Sequence, residues 1–430
     1  MPQLRNQRVT VMGLGRFGGG IAVARWLANQ GARVLVTDKD PADKLADSVR
    51  QLAGLPIDFR LGEHREDDFR SADLVVASPA VPLTNQYLQT ARAAGVPIST
   101  EMRLFVERCP ARRTVGVTGT KGKSTTTAML GTMLAKKFKT LVGGNIGKSL
   151  LDDLPRIGCD DVVVLELSSF MLEHLRAMRW SPHVAVITMI AQDHLDWHGS
   201  VEAYVQAKRV LLEFQKPTDF AVLNATCSRC RELARTSPAQ VRLFGQGDAK
   251  PFDLKLPGVH NQVNAQGAFI AANCLGVTHA EAQAALNEFK PLPHRLELVH
   301  EERGVRFYND SIATIPEAAV AALESFPANK VIQIVGGRQK DLPLALMCQA
   351  LASRAKAVLC IGEKGPEIAR AVREATSNGT PTVQDCADLN GAIRAARQLA
   401  QPGDIVLLST GCKSYDQFIN FEQRGEAFAR

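Results

Sequence analysis

The segment Gly116-Val117-Thr118-Gly119-Thr120-Lys121-Gly122-Lys123-Ser124-Thr125 constrains this chain more than any other. A β-rich run, Thr114–Thr118, leads into a glycine-bearing loop ending Gly-Lys-Ser, and the helical stretch Thr126–Lys136 follows. That order points backbone N–H groups at phosphate oxygens, with positive potential added by the helix N-terminus. Lys123 is placed to reach β- and γ-phosphates, and Ser124 or Thr125 to hold Mg²⁺. The loop is tighter than the common G-x-x-x-x-G-K-[ST] pattern, so the expectation of phosphate binding rests on the strand–loop–helix context.

Two further blocks show the same alternation of short β-rich runs and helical stretches, the pattern of α/β domains with parallel sheets. Before the loop, Val9–Met12 reads as a buried strand, Gly18–Gln30 as a helix and Arg33–Thr37 as the next strand. Within the central block, strands are expected at Val162–Leu165, Val184–Thr188 and Ala221–Asn224. Pro291-Leu292-Pro293 reads as a hinge, because proline disfavours continuing a helix. Beyond it Val331–Val335, Ala357–Ile361 and Ile405–Ser409 read as strands of a third block. A length of 430 residues accommodates three domains at about 150 residues each.

Composition narrows the class. A hydrophobic fraction of 45% with 22% charged residues excludes a disordered, collagenous or coiled-coil architecture. Apolar runs such as Val162–Leu165 and Val184–Ile190 fall short of the ~20 residues a membrane helix needs. Met1–Arg8 carries no secretory pattern, so a cytoplasmic protein is expected. The net charge of +7 comes from scattered lysines and arginines without a basic run. Nucleic acid is therefore not an expected partner, while anionic metabolites remain open. Nine cysteines include one C-x-x-C pair, Cys227 and Cys230, without the second pair a zinc site needs. Reduced, buried thiols are expected.

A second glycine signal, Gly13-Leu14-Gly15-Arg16-Phe17-Gly18, lies between a strand and a helix, and Asp38 ends the following strand. This is a dinucleotide fingerprint with Asp38 on a ribose hydroxyl. A UDP-sugar offers the same pyrophosphate and ribose as a nicotinamide cofactor, so the motif leaves both open, along with a tight turn that binds no ligand. Glu166, in Glu166-Leu167-Ser168-Ser169-Phe170, and His194, in Asp193-His194-Leu195-Asp196, follow strands at the end where open α/β sheets bind ligands. Glu166 suits a hard Mg²⁺, and a histidine ligand is less usual. By spacing, His194 is as suited to capping a loop as to binding metal, and His174, His183 and His198 read as surface or structural residues.

Taken with Ala207-Lys208, Leu292-Pro293-His294-Arg295, Asn309-Asp310-Ser311 and Asp416–Gly425, these motifs resemble the Mur ligases across essentially the whole chain. The resemblance is nearest to the branch that adds D-glutamate. It implies three α/β domains: an N-terminal Rossmann-like UDP-sugar domain (1–100), a central P-loop ATPase with a mainly parallel sheet (101–292), and a C-terminal Rossmann-like amino-acid domain (293–430). It also implies a monomer that adds D-glutamate to UDP-N-acetylmuramoyl-L-alanine through an acyl phosphate, using ATP and Mg²⁺. By the same resemblance, Gly15, Arg16, Phe17, Asp38 and Asn145 surround the UDP-sugar. Gly119, Thr120, Lys121, Gly122, Lys123, Ser124 and Thr125 cradle ATP, with Asn264, Arg295 and Asp310 completing the nucleotide site. Ser124, Glu166, His194 and Lys208, the last as a carbamate, hold metal. Thr314, Lys340, Ser414 and Phe421 form the amino-acid pocket.

The chain departs from the family pattern at Ile312, where a lysine is usual, and at Thr410–Tyr415, Lys39, Asp40 and Ala80. Arg338, Lys340 and Lys413 are near enough in sequence to supply the charge missing at Ile312. Competing readings are a related ligase adding L-glutamate or another amino acid, an NAD-dependent oxidoreductase, and a P-loop switch. The oxidoreductase leaves the Gly-Lys-Ser loop and the C-terminal motif unused, and the switch leaves the third block unexplained.

Overall fold

A computed structural model describes residues 4–15, 19–246, 251–338, 342–376 and 379–430. The expectations at Arg16, Phe17 and Lys340 lie outside the described residues. Three parallel or mainly parallel sheets follow one another along the chain. The first contains β1 (Arg8–Met12), β2 (Arg33–Asp38), β3 (Ile57–Leu61), β4 (Leu74–Ala77) and β5 (Ile98–Ser99), in the order β3-β2-β1-β4-β5. The second contains β6 (Arg113–Thr118), β7 (Thr140–Gly144), β8 (Val162–Glu166), β9 (Val184–Ile187), β10 (Phe220–Asn224) and β11 (Gln240–Phe244), in the order β11-β10-β9-β6-β8-β7. The third contains β12 (Glu297–Glu302), β13 (Val305–Asn309), β14 (Val331–Gly336), β15 (Ala357–Ile361), β16 (Thr382–Ala387) and β17 (Ile405–Leu408), in the order β12-β13-β17-β14-β15-β16. Only the β12–β13 pairing is antiparallel among the described ladders.

These residues make central strands because helices cover both faces. Val162-Val163-Val164-Leu165-Glu166 is buried at every position, as are Val184–Ile187 and Ile405–Leu408. Continuous β-branched runs are what a two-sided parallel sheet requires. Each fully buried Val, Leu or Ile contributes roughly 1.5–3 kcal/mol of transfer free energy. Side-chain caps start several helices: Thr100 accepts from the Arg103 amide (3.2 Å), Ser168 from Met171 (3.2 Å), Ser200 from Ala203 (3.1 Å) and Asn420 from Gln423 (2.8 Å). Each such cap satisfies an otherwise orphaned amide.

The chain divides into two compact units, residues 1–252 with 263–286, and 253–262 with 287–430. In the first, a single apolar cluster runs from Val9, Ile21 and Trp26 beside the first sheet to Leu165, Leu172 and Leu211 beside the second. The Arg108 guanidinium lies 5.5 Å from the centroid of Trp26 within the same region. The second unit has its own cluster around Ile332, Leu359, Val406 and Phe428. One expectation shifts locally. The central helix spans Lys123–Leu134 and starts three residues before the expected Thr126, because left-handed Gly122 ends the loop and Lys123 already turns helically.

Candidate active site

Gly119–Gly122 joins the end of β6 to the helix Lys123–Leu134, beside the point where the second sheet reverses strand order. Two glycines are required there. Gly119 has φ +153, and a Cβ on it would meet Thr188 Oγ1 at 2.0 Å. Gly122 has φ +85, and a Cβ would meet Asn264 Oδ1 at 2.4 Å. The loop following β9 laces onto the glycine loop. Thr120 N–H donates to the Met189 carbonyl (2.7 Å), Ala191 N–H to Thr120 Oγ1 (3.0 Å), and Thr188 Oγ1 to the Lys121 carbonyl (2.6 Å). Thr120 Oγ1 also meets the Tyr204 hydroxyl at 3.0 Å. Lys123 Nζ donates to the Thr120 carbonyl across its own loop (3.0 Å), so its ammonium stays at the loop's mouth.

Lys208 lies on the helix Val201–Glu213 and is buried. Its Nζ donates to the Gly119 carbonyl (2.8 Å) and reaches Thr118 Oγ1 at 3.5 Å, with the Tyr204 ring centroid 4.6 Å away. Burial, reinforced by the charge of Lys123, pulls its pKa down to about 7. Glu166 ends β8, also buried, and its Oε1 accepts from Asn145 Nδ2 (3.1 Å). Its Oε2 is buried and accepts no hydrogen bond from the described residues. A bare, buried carboxylate oxygen beside a phosphate-type loop is the acceptor a hard cation takes. Asn145 therefore sits on Glu166 at the ends of β7 and β8, its amide donating to the Glu166 carbonyl (2.8 Å).

His194 is exposed, holds a left-handed backbone (φ 49, ψ 39), and packs its ring 4.8 Å from Phe170. Among the described residues no group of three or more His, Cys, Asp and Glu side chains stands ready for a metal. His174 is buried, His183 pairs with Asp219 (3.0 Å) and His198 with Ser169 (3.0 Å), all in structural contacts. In the N-terminal glycine loop, Asp38 Oδ2 accepts from the amides of Leu14 (2.8 Å) and Gly15 (3.1 Å), and Oδ1 from Asp40 (2.9 Å). Asp38 thus organises the loop itself. Ser48 assists by donating to the Gly15 carbonyl (2.8 Å).

The second unit brings Arg295 and Asp310 together. Asp310 Oδ2 accepts from Ser409 (2.7 Å) and Oδ1 from the Leu296 amide (3.2 Å). Burial pushes its pKa up to about 7, opposed in part by those hydrogen bonds and by Arg295. Arg424 is buried and ties three segments. Its guanidinium donates to Ser311 Oγ (2.9 Å), the Ser311 carbonyl (2.7 Å) and the Cys412 carbonyl (3.1 Å). Ser311 Oγ in turn donates to the Phe421 carbonyl (2.8 Å). This clasp ties Ser311, Cys412 and Phe421 together. Arg338 does not stand free to replace the charge missing at Ile312, because its Nε is 3.1 Å from both Glu363 oxygens. Lys413 is exposed.

Residues 7–100 match the MurD-like N-terminal domain of Mur ligases, 117–251 the Mur ligase middle domain and 294–412 the glutamate ligase domain. A UDP-N-acetylmuramoylalanine--D-glutamate ligase of Roseiflexus sp. (strain RS-1) is 45% identical across 100% of this chain and 98% of its own length. The chain belongs to the Mur ligase family. A ligase of the same name from Anaeromyxobacter dehalogenans (strain 2CP-C) is 41% identical, covering 100% of this chain and 98% of its own. Among solved structures, UDP-N-acetylmuramate-alanine ligase MurC from Thermotoga maritima superposes with a TM-score of 0.63 at 22% identity, over 98% of both chains. MurF from Acinetobacter baumannii gives 0.57 at 17% identity, over 95% of this chain and 88% of its own. At those identities the likeness is one of fold.

In this Mur ligase, sequence reasoning missed Thr188, Tyr204, Ser409 and Arg424 as parts of the sites. Thr188 and Ser409 had a usable signal, a polar residue directly after a fully apolar parallel strand. Arg424 lay inside the motif Asp416–Gly425 but was given no role, because an arginine three residues into a C-terminal helix ordinarily faces water.

Proposed function

We propose that this chain joins D-glutamate to UDP-N-acetylmuramoyl-L-alanine in peptidoglycan precursor synthesis, converting ATP to ADP and phosphate. The observation that carries the reading is full-length identity of 45% and 41% to ligases named for that reaction. Residues 1–100 serve the UDP-sugar, 101–292 ATP, and 293–430 the amino acid. The acceptor carboxylate attacks the γ-phosphorus, forming an acyl phosphate and releasing ADP. The glutamate amine then attacks the acyl carbon, phosphate leaves with the C–O electron pair, and the nitrogen releases a proton to solvent. Phosphorylation is needed because the oxide of a free carboxylate does not leave.

The Gly119–Thr125 amides and the Lys123 ammonium bind and orient the phosphates, stabilising charge that grows during transfer. Asn264, beside Gly122, supports the loop on the same unit; Arg295 and Asp310 complete the nucleotide contacts in this reading. Glu166 and Ser124, with His194 and Lys208 as its carbamate, are the residues that would hold Mg²⁺. The bare Glu166 Oε2 fits that role. When bound, Mg²⁺ screens the two anionic reactants from each other. Carbamate formation needs a neutral lysine, and a pKa near 7 supplies one at physiological pH. Gly15, Arg16, Phe17, Asp38 and Asn145 address the UDP-sugar, and Thr314, Lys340, Ser414 and Phe421 the glutamate.

The test is ADP release with UDP-N-acetylmuramoyl-L-alanine against a panel of D- and L-amino acids. Release that requires both acceptor and D-glutamate is expected. A preference for L-glutamate, or for a neutral or diamino acid, would overturn the assignment of the amino acid and leave the ligase chemistry in place.

A further inference from the structure

We propose that Cys227 and Cys230 form a reversible dithiol–disulfide site, in which Cys227 attacks an oxidant and Cys230 resolves the product. Cys227 is the N-cap residue of the helix Ser228–Arg235, with extended backbone at φ −95 and ψ 119, and Cys230 lies in its first turn. Residues three apart at a helix start share one face, with side chains near enough to be bridged. The Cys230 thiol is the neighbour that most lowers the pKa of Cys227. Cys227 Sγ also accepts from the Ile190 amide at 3.4 Å, and the amides of Arg229 and Cys230 point at it from the helix. All nine cysteines are free thiols, but only Cys230, Cys348, Cys360 and Cys412 are buried as expected; Cys159 is exposed and the other four are half-buried, because they lie at element ends or on partly open faces.

That donor set divides the labour. The Cys230 thiol, assisted by neighbouring backbone amides, holds Cys227 below the ordinary thiol range, while the same pairing and burial push Cys230 up. Burial pushes Cys274, Cys348, Cys360 and Cys412 up as well. Cys227 is half-buried and open to a small reagent, whereas Cys230 is sealed in the core. A low-pKa accessible thiol beside a buried resolving thiol is the arrangement that favours attack at one sulfur and closure at the other.

With a hydroperoxide as oxidant, the Cys227 thiolate attacks one peroxide oxygen and the O–O bond breaks. Cys227 becomes a sulfenic acid, and the leaving hydroxide is protonated to water. The Cys230 sulfur then gives up its proton and attacks the Cys227 sulfur. The S–S bond forms, the S–O bond breaks, and a second water leaves. Two thiols lose two electrons and one hydrogen peroxide becomes two waters. Two equivalents of a small thiol reverse the change by exchange.

The site is coupled to the glycine loop through one residue. Cys227 Sγ accepts from the Ile190 amide (3.4 Å), and Ile190 sits between Met189 and Ala191, both hydrogen-bonded to Thr120. Disulfide formation discharges that thiolate and turns Sγ toward Cys230, weakening its hold on the Ile190 amide. Losing one such hydrogen bond changes an equilibrium roughly two- to tenfold. This coupling rests on Thr120 belonging to the ATP loop; the disulfide itself does not.

The experiment uses the full-length reduced protein. A short pulse of N-ethylmaleimide at about pH 6 is expected to label Cys227 ahead of the exposed Cys159. Hydrogen peroxide is expected to give a 227–230 disulfide by peptide mass mapping, reversed by dithiothreitol. In Cys230→Ser the reaction is expected to stop at a Cys227 sulfenic acid that dimedone traps. Labelling of Cys227 no faster than Cys159, or peroxide treatment without a 227–230 disulfide, would overturn the site. ADP release by the oxidised enzyme is expected to fall roughly two- to tenfold and to recover with dithiothreitol. Equal activity in both states would overturn the coupling to Thr120. Failure of the ligase assay with reduced protein bears on the proposed reaction alone, since thiol mapping needs no substrate.

Discussion

Lys208 shows how far a single residue can be moved by its surroundings. Its ammonium has a carbonyl, a hydroxyl and an aromatic ring for neighbours, and its pKa drops to about 7 mainly through burial. If the neutral amine carries a carbamate, Lys208→Ala loses nearly all ADP release, and acetate or formate restores part of it. Full activity of the variant without added carboxylate would remove Lys208 from the chemistry. Asp310 is shifted the opposite way, up to about 7 from 3.8. The folded protein therefore holds a proton that the unfolded chain releases, so stability declines as pH rises from about 4 to 7 and stays reduced above it. Asp310→Asn removes that decline, raising stability at pH 8 by on the order of a few kcal/mol in urea unfolding. An unchanged pH profile in the variant would show that Asp310 is not the group responsible.

At the scale of elements, the glycine loop is set by steric limits on both sides. Alanine at Gly122 would adopt φ +85 and drive its Cβ against Asn264 Oδ1. Left-handed backbone alone costs an L-residue roughly 1–2 kcal/mol. Adding the contact, Gly122→Ala is expected to lower stability by about 2–4 kcal/mol and to weaken ATP binding measured by calorimetry. Wild-type affinity would show that the loop adjusts without cost. The strand–loop–helix unit and the central apolar strands were legible because burial on both faces demands continuous β-branched runs. Edge strands were not: β3, β11 and β16 are half-exposed and carry polar residues at alternate positions or more. Their pairing depends on which neighbour offers a free edge, information the local pattern lacks.

For the whole molecule, three sheets are gathered into two compact units, and the first two sheets share one apolar cluster. Scanning calorimetry should then show more than one transition, with a calorimetric enthalpy above the van't Hoff value. A nucleotide present at about 100 times its Kd stabilises the unit that binds it by roughly 2.7 kcal/mol. A single transition with equal enthalpies would show that both units unfold as one cooperative block. No helix among the described residues is long and apolar enough to cross a membrane.

Read alone, the amino-acid sequence determined the α/β class, the order of three blocks, the Gly-Lys-Ser loop and the polar residues at strand ends, because each is written in a local pattern. Its resemblance to the Mur ligases supplied the expectations for Lys208 and His194, which spacing could not. Tertiary structure decided what those side chains meet. It left Glu166 Oε2 without a donor, placed Asp38 on the amides of its own loop, drew Arg338 to Glu363 and buried Arg424 as a clasp. It also set Cys227 against Ile190, one residue from the contacts that hold Thr120. The physical reason is common to all of these. A side chain's charge and partners depend on groups brought close by folding from 23 to 113 residues away, and no local window contains them.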